Sequence, residues 1–307
     1  MPELPEVETL RRGLKKAVVG KTIKSVKINW PKMVSPLSVG SFSKKLIGRK
    51  IISVDRRAKM LVLKLTKSGK KIENGFLAIH LKMTGQLIFR PKIGKLVIGG
   101  HLPAMPRQVS GRRGPQKDGP KDLPNKHTHI IITFSDGTIL YFNDMRKFGW
   151  MRVVSAGDLT SIFANYGVEA LADDFNFRLL KAILNRYGNR KIKQILLDQT
   201  LIAGLGNIYA DEACFAVGIL PTRLAKNITD SEIKKLLSHI KRILKLSIDK
   251  KGTSYNTYVN LDGKSGGFVP YLKVYGRQGL KCKKCQSVII RNKVVGRGTH
   301  FCVNCQK

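Results

Sequence analysis

Residues 2–14 read PELPEVETLRRGL, and this opening fixes how the rest of the chain can be organised. Two prolines and two glutamates are packed into the first five of these positions, ahead of the first arginines. Val7, Leu10, Leu14 and Ala17 or Val18 recur at helical spacing. Pro5 suits the first turn of that helix and Gly20 its end. The chain therefore predicts a stiff start running directly into a helix, not a flexible basic tail.

That start contrasts with the bulk composition. The chain has 307 residues, with 57 Lys and Arg against 20 Asp and Glu, a formal net charge of +37. A length of this order suits more than one domain. Apolar residues make up 42%, enough for real cores. Such a charge calls for a polyanion, and nucleic acid fits better than a membrane surface. No stretch approaches the roughly 20 apolar residues of a membrane span. The first residues also lack the apolar core of a signal peptide. The expectation is a cytoplasmic protein with no membrane partner.

Outward from the first helix the pattern turns to strands. Lys59–Leu65 alternates, with Leu61, Leu63 and Leu65 on one face. Gly75–Leu81 is a second strand, and His129–Tyr141 a hairpin turning at Asp136-Gly137. Residues 91–126 break the pattern with six prolines, six glycines and eight Lys or Arg against two Asp. They read as a long mobile basic loop. After residue 160 the character is helical: Phe177–Tyr187, Lys191–Gln199 and Ile208–Val217. Thr229 to Glu232 then forms a capping box before a further helix closed by Gly252. Asn207, after Gly204-Leu-Gly206, is a natural N-cap, and the helix start behind it attracts anions.

Cys282-Lys-Lys-Cys285 and Cys302-Val-Asn-Cys305 are two CxxC knuckles separated by sixteen residues. Each supplies two thiolates, and the four close a tetrahedral structural Zn2+ site with no open position for catalysis. Cys214, on an apolar helix, reads as a small buried side chain. Arg297, flanked by glycines, is either a solvated loop arginine or a fork for phosphate.

At this point the chain resembles the formamidopyrimidine-DNA glycosylase family over nearly its whole length. The matching blocks are PELPEVETLRRGL, RRAKMLVLKL, HLKMTGQL, NDMRKFGW, LLDQTLIAGLGNIYADEACF, VYGRQG and GRGTHFCVNCQK. The resemblance implies an α+β multidomain fold. An N-terminal β-sandwich with its helix spans 1–155, a helix–two-turn–helix domain 156–262, and a four-cysteine zinc finger 263–307. It also implies a monomer that acts on double-stranded DNA containing oxidised bases.

The resemblance also assigns residues. Met1 is removed and Pro2 becomes an N-terminal secondary amine, the nucleophile. Roughly one α-amine in ten is uncharged near neutrality, against about one lysine in a few thousand. Glu3 is the general acid/base, Lys59 the hairpin lysine beside the lesion, and Glu6 either a supporting carboxylate or a partner of the helix dipole. His80, Lys193, Asn207, Tyr275 and Arg297 contact DNA. Met83, Arg146 and Phe148 fill the gap left by the everted base, although out of context Met83 and Phe148 would read as core. Thr257 lies in a loop that closes on that base. Two other readings stay open. One is the endonuclease VIII branch acting on oxidised pyrimidines, whose opening resembles PEGPE where this chain has Leu4. The other is a non-catalytic zinc-finger DNA-binding protein.

Overall fold

A computed structural model describes residues 2–67, 73–93, 97–101, 122–253, 258–259 and 266–307. The chain forms two compact units: Met1–Phe163 with Lys250–Gly267, and Ala164–Asp249 with Phe268–Lys307.

The first unit opens with α1 (Leu4–Val18), with Glu3 as N-cap and Pro5 in the first turn. Gly20, at φ +87°, leads the chain out of it. After β1 (Ile23–Ile28) and α2 (Val39–Leu46) come β2 (Lys50–Arg57), β3 (Met60–Lys67), β4 (Glu73–His80), β5 (Gly85–Arg90), β6 (Val97–His101), β7 (Thr128–Phe134), β8 (Ile139–Asp144) and β9 (Trp150–Val154), followed by α3 (Ala156–Ala164). One sheet runs β2-β3-β4-β9, and the other runs β1-β7-β8-β5-β6 with one further strand. Leu61, Leu63, Leu65, Leu77 and Ile79 of the first sheet share a core with Leu87, Ile130, Phe134, Leu140 and Phe142 of the second. Val7, Leu10 and Leu14 of α1 belong to the same core. Each fully buried side chain of this kind contributes about 1.5–3 kcal/mol. This is the expected β-sandwich, with α1 anchored in its core.

In the second unit β10 (Val168–Glu169) pairs with a short strand that lies between two helices. The order is α4 (Phe177–Arg186), α5 (Ile192–Leu197), β11 (Ile202–Ala203), α6 (Asn207–Val217) and α7 (Asp230–Asp249). The capping box that opens α7 is present: Thr229 N–H donates to Glu232 Oε2 at 2.8 Å, and Glu232 N–H to Thr229 Oγ1 at 3.3 Å. The chain then re-enters the first unit, where β12 (Tyr258–Val259) pairs with His101 and Gly100 of β6. It returns to the second unit with the hairpin β13 (Ile290–Val294) and β14 (Arg297–Phe301).

Two expectations change. Residues 91–126 are not all loop, because Val97–Gly100 pairs antiparallel with Phe89–Gln86 of β5; residues 94–96 and 102–121 lie outside the described residues. The three-part division also shifts. The cysteine-bearing residues form one unit with the helices, since side chains of α5 and α6 bond to β14, and residues 250–267 belong with the sandwich.

Gly85 shows how tightly the turn before β5 is built. Its N–H donates to Leu81 O at 2.9 Å, and an added Cβ would stand 2.4 Å from that oxygen. Gly85→Ala is expected to lower stability by about 1–3 kcal/mol in urea denaturation; an unchanged midpoint would show that the turn relaxes freely.

Candidate active site and nucleic-acid interface

In the first unit the start of the chain is buried. Pro2 is buried, and Glu3 and Glu6 are 3% and 2% exposed. The Glu6 carboxylate is held by main-chain donors. Its Oε2 accepts the Glu3 N–H at 2.9 Å, and its Oε1 accepts the Thr253 N–H at 2.8 Å. An ionised carboxylate that accepts backbone donors offsets its lost hydration and fixes both donors in place. One side chain thus ties the residue after Pro2 to the stem of the segment that follows α7. That stem is further shaped by Gly252, at φ +87°, and by an antiparallel bridge from Thr253 to Gly267. Thr257 lies outside the described residues.

Lys59 sits in the two-residue turn between β2 and β3, where Arg57 pairs with Met60. Ala58 takes φ +52°, and its carbonyl accepts from Arg56 Nη1 at 2.8 Å. Lys59 is 6% exposed. The next residue, Met60, pairs with His80 at the end of β4. His80 Nδ1 accepts the Lys82 N–H at 2.9 Å, so its ring proton resides on Nε2. Burial, then the cations Lys82 and Lys59, push its pKa from 6.5 down to about 3. His80 is therefore a neutral N–H donor at working pH, suited to a phosphate oxygen.

Met83 lies in the turn after Leu81, partly buried, next to Lys82 at φ +51°. Arg146 and Phe148 stand on the loop after β8, outside the core, with Phe148 53% exposed. The Arg146 guanidinium lies over the Phe148 ring at 4.6 Å. Thr84 Oγ1 bonds to Asp144 and accepts the Arg146 N–H at 3.2 Å, so the Met83 turn and this loop are joined.

In the second unit Asn207 is not the N-cap. Gly206 takes that position, and Asn207 begins α6 with its Nδ2 donating to Gly298 O at 2.9 Å. Lys193 also needs correction as a DNA contact. It is 0% exposed, with Nζ 2.5 Å from Asp211 Oδ1 and 2.8 Å from Thr299 Oγ1. Asp211 Oδ2 in turn accepts the His300 N–H at 2.9 Å. Lys193 bolts β14 to α6, and its charge is spent on that bond. Arg297 starts β14 exposed, after a turn in which Val295 and Gly296 both have positive φ. Tyr275 is half-buried; its ring lies edge-on to His300 at 4.8 Å, and its N–H donates to Glu212 Oε1 at 2.8 Å. Glu212 also accepts the N–H groups of Lys273 and Val274. Asp144, Asp211 and Glu212 escaped the sequence reading. The available signal was an acid in the otherwise basic and aromatic NDMRKFGW, and two adjacent acids in the otherwise mostly apolar NIYADEACF.

The four cysteine sulfurs, Cys282, Cys285, Cys302 and Cys305, all lie within 4.8 Å of one another. Cys282 and Cys305 are 3.9 Å apart, and Cys285 and Cys302 are 3.4 Å apart. Sulfurs on one tetrahedral ion with ~2.3 Å bonds stand about 3.8 Å apart. The cluster could hold one metal ion. Among the described residues no helix is long and apolar enough to cross a membrane.

His80 supplies a pH test. Its folded pKa lies below the unfolded value, so the unfolded chain binds the extra proton as pH falls from 6.5 toward 3. His80 therefore subtracts stability across that window and none above it. Its imidazole 15N resonances are expected to stay neutral from about pH 8 to 5; a midpoint near 6.5 would contradict the geometry.

Comparison with known proteins gives the same answer along the whole chain. The model of the formamidopyrimidine-DNA glycosylase N-terminal domain matches residues 1–151, and that of the family's H2TH domain matches residues 166–259. Formamidopyrimidine-DNA glycosylases of Halalkalibacterium halodurans and Carboxydothermus hydrogenoformans are 40% and 38% identical, with the whole of each chain covered. Structures of Lactococcus lactis Fpg bound to DNA containing an abasic site or N7-benzyl-Fapy-dG are 34% identical, with TM-score 0.81 and complete coverage of both chains. A further complex of that protein contains an oxidised pyrimidine. The chain belongs to the formamidopyrimidine-DNA glycosylase family.

Proposed function

We propose that this chain is a bifunctional DNA glycosylase and abasic-site lyase that removes oxidised purines from duplex DNA, with Pro2 as the nucleophile. The observation that carries this reading is the Glu6 clamp on the Glu3 main chain. A nucleophilic amine needs a fixed approach to its target carbon, and a fraying terminus would lose that advantage. The buried carboxylic side chain of Glu3 is one residue from that amine.

The chemistry follows from those groups. With Met1 removed, the neutral Pro2 nitrogen attacks the sugar C1′, and the base leaves with the bonding pair and takes up the proton shed by the amine. Glu3 protonates the sugar ring oxygen as the ring opens. The secondary amine yields a cationic iminium without losing a further proton. That iminium acidifies C2′–H, whose loss expels the 3′ phosphate by β-elimination, and the conjugated iminium that results acidifies C4′–H, whose loss expels the 5′ phosphate by δ-elimination. Water then releases Pro2. Lys59 adds positive charge close to the site and favours the neutral amine.

The DNA contacts divide into positioning and gap-filling. His80 in the first unit, and Asn207, Tyr275 and Arg297 in the second, address phosphates. Extruding a base costs a few kcal/mol, and Met83 and Phe148 replace the lost stacking while Arg146 meets the orphaned cytosine. Zn2+ is the ion best suited to four thiolates that are not disulfide-bonded. It would brace the segment that carries Arg297.

Purified protein is expected to cleave duplexes containing 8-oxoguanine faster than those containing thymine glycol; the reverse order would favour the oxidised-pyrimidine reading. Glu3→Gln should lower single-turnover excision by about 10²–10⁴-fold while DNA affinity persists. Equal turnover by the variant would remove Glu3 from the reaction. Metal analysis should find one zinc per chain, and Cys302→Ser should lose zinc and most DNA affinity together. Full activity in metal-free protein would overturn the zinc assignment.

A further inference from the structure

Asp144 ends β8 and is 1% exposed, although no step of the chemistry above uses it. Its carboxylate gathers donors from two segments. Oδ2 accepts the N–H groups of Phe148 at 2.8 Å and Gly149 at 2.7 Å. Oδ1 accepts the Arg146 N–H at 3.0 Å and bonds to the Thr84 hydroxyl. Its own backbone is held as well: the carbonyl meets His129 Nε2 at 2.8 Å, and its N–H donates to His127 O at 2.9 Å.

Those donors belong to the backbone of the exposed Arg146–Phe148 tip and to the turn that presents Met83. Arg146 and Phe148 project from the core and stack on each other, so the core does not fix their positions. Lys147 between them takes φ +58°, a conformation that non-glycine residues adopt only when the surroundings enforce it. Gly149 cannot be enlarged, because an added Cβ would stand 2.6 Å from Phe142 and 3.1 Å from the Asp144 carboxylate. The loop is thus wound around one buried anion, and Thr84 is the strut that extends this order to the Met83 turn.

We propose that Asp144, acting through Thr84, is a positioning residue that makes Met83, Arg146 and Phe148 a single preformed wedge, so that the free energy of base extrusion is supplied by binding and not by ordering the loop. This inference rests on the reading that these three residues enter the duplex. It concerns extrusion alone, because the carboxylate bonds to none of the residues assigned to covalent chemistry.

The test compares two substrates that differ only in whether a base must be everted. Single-turnover rates are measured on a duplex with 8-oxoguanine opposite cytosine and on the same duplex with a preformed abasic site. The proteins are wild type, Asp144→Asn, Thr84→Val and Thr84→Ser. Circular dichroism melts check the fold, and 2-aminopurine beside the lesion reports unstacking. Asp144→Asn replaces an acceptor oxygen by a donor, and losing one charge-assisted bond is expected to slow excision by about 10- to 100-fold. Cleavage at the abasic site should stay within about threefold of wild type. Thr84→Val should show the same split more weakly, and Thr84→Ser should restore the wild-type rate. If Asp144→Asn fails to fold, the two Thr84 variants decide the question. Equal losses on both substrates, or no loss on either, overturn the inference. A wild-type protein inactive on both substrates would instead overturn the functional reading beneath it.

Discussion

The carboxylate of Glu6 holds two pieces of backbone that lie far apart in the sequence, the second of them 247 residues beyond Glu6 itself. One is the peptide N–H immediately after Pro2, and the other is the N–H at the stem of the segment following α7. Everything proposed for the chemistry requires the terminal amine to be held still, and this bond does the holding. α1 makes it possible, because its leucines are locked in the sandwich core and its first turn places Glu6 back against its own N-cap. Core packing, helix capping and the position of the Glu3 main chain next to Pro2 are therefore one constraint.

The same device recurs beside several of the residues proposed to meet DNA. A protein with 57 basic and 20 acidic residues has few carboxylates to spend. Glu6, Asp144, Asp211 and Glu212 are each no more than 2% exposed, and each accepts main-chain N–H groups. They hold, respectively, the Glu3 and Thr253 main chain, the Arg146–Phe148 tip, His300 of the strand that Arg297 begins, and the Tyr275 segment. Lys193 joins this scheme as a buried counter-charge. An anion in the interior lowers the local cost of crowding cations at a surface, and a backbone donor bound to a carboxylate holds more firmly than one bound to a neutral acceptor. The basic surface is thus set in place by a small set of interior acids.

Much of this was legible in the sequence, for physical reasons. Alternation at Leu61, Leu63 and Leu65 marked a strand because one face must be dry. Thr229 and Glu232 marked a helix start because their side chains satisfy each other's backbone. The CxxC pair announced a four-sulfur cluster because two knuckles bring four cysteines together. Other features depend on partners distant in sequence. Lys193 was expected to contact DNA because nothing near it in the chain reveals Asp211 and Thr299. Asn207 read as a cap because its bond to Gly298 spans 91 residues. The β6 strand hid among prolines and glycines because its partner β5, not its own pattern, defines it.

The central claim is that a fixed secondary amine at Pro2 attacks the sugar. Protein trapped on an 8-oxoguanine duplex by borohydride can be digested, and the cross-linked peptide sequenced by mass spectrometry. The account predicts a peptide beginning at Pro2, without Met1, that carries the reduced sugar on its terminal nitrogen. A sugar attached to a lysine side chain, or efficient trapping by protein that retains Met1, would contradict it.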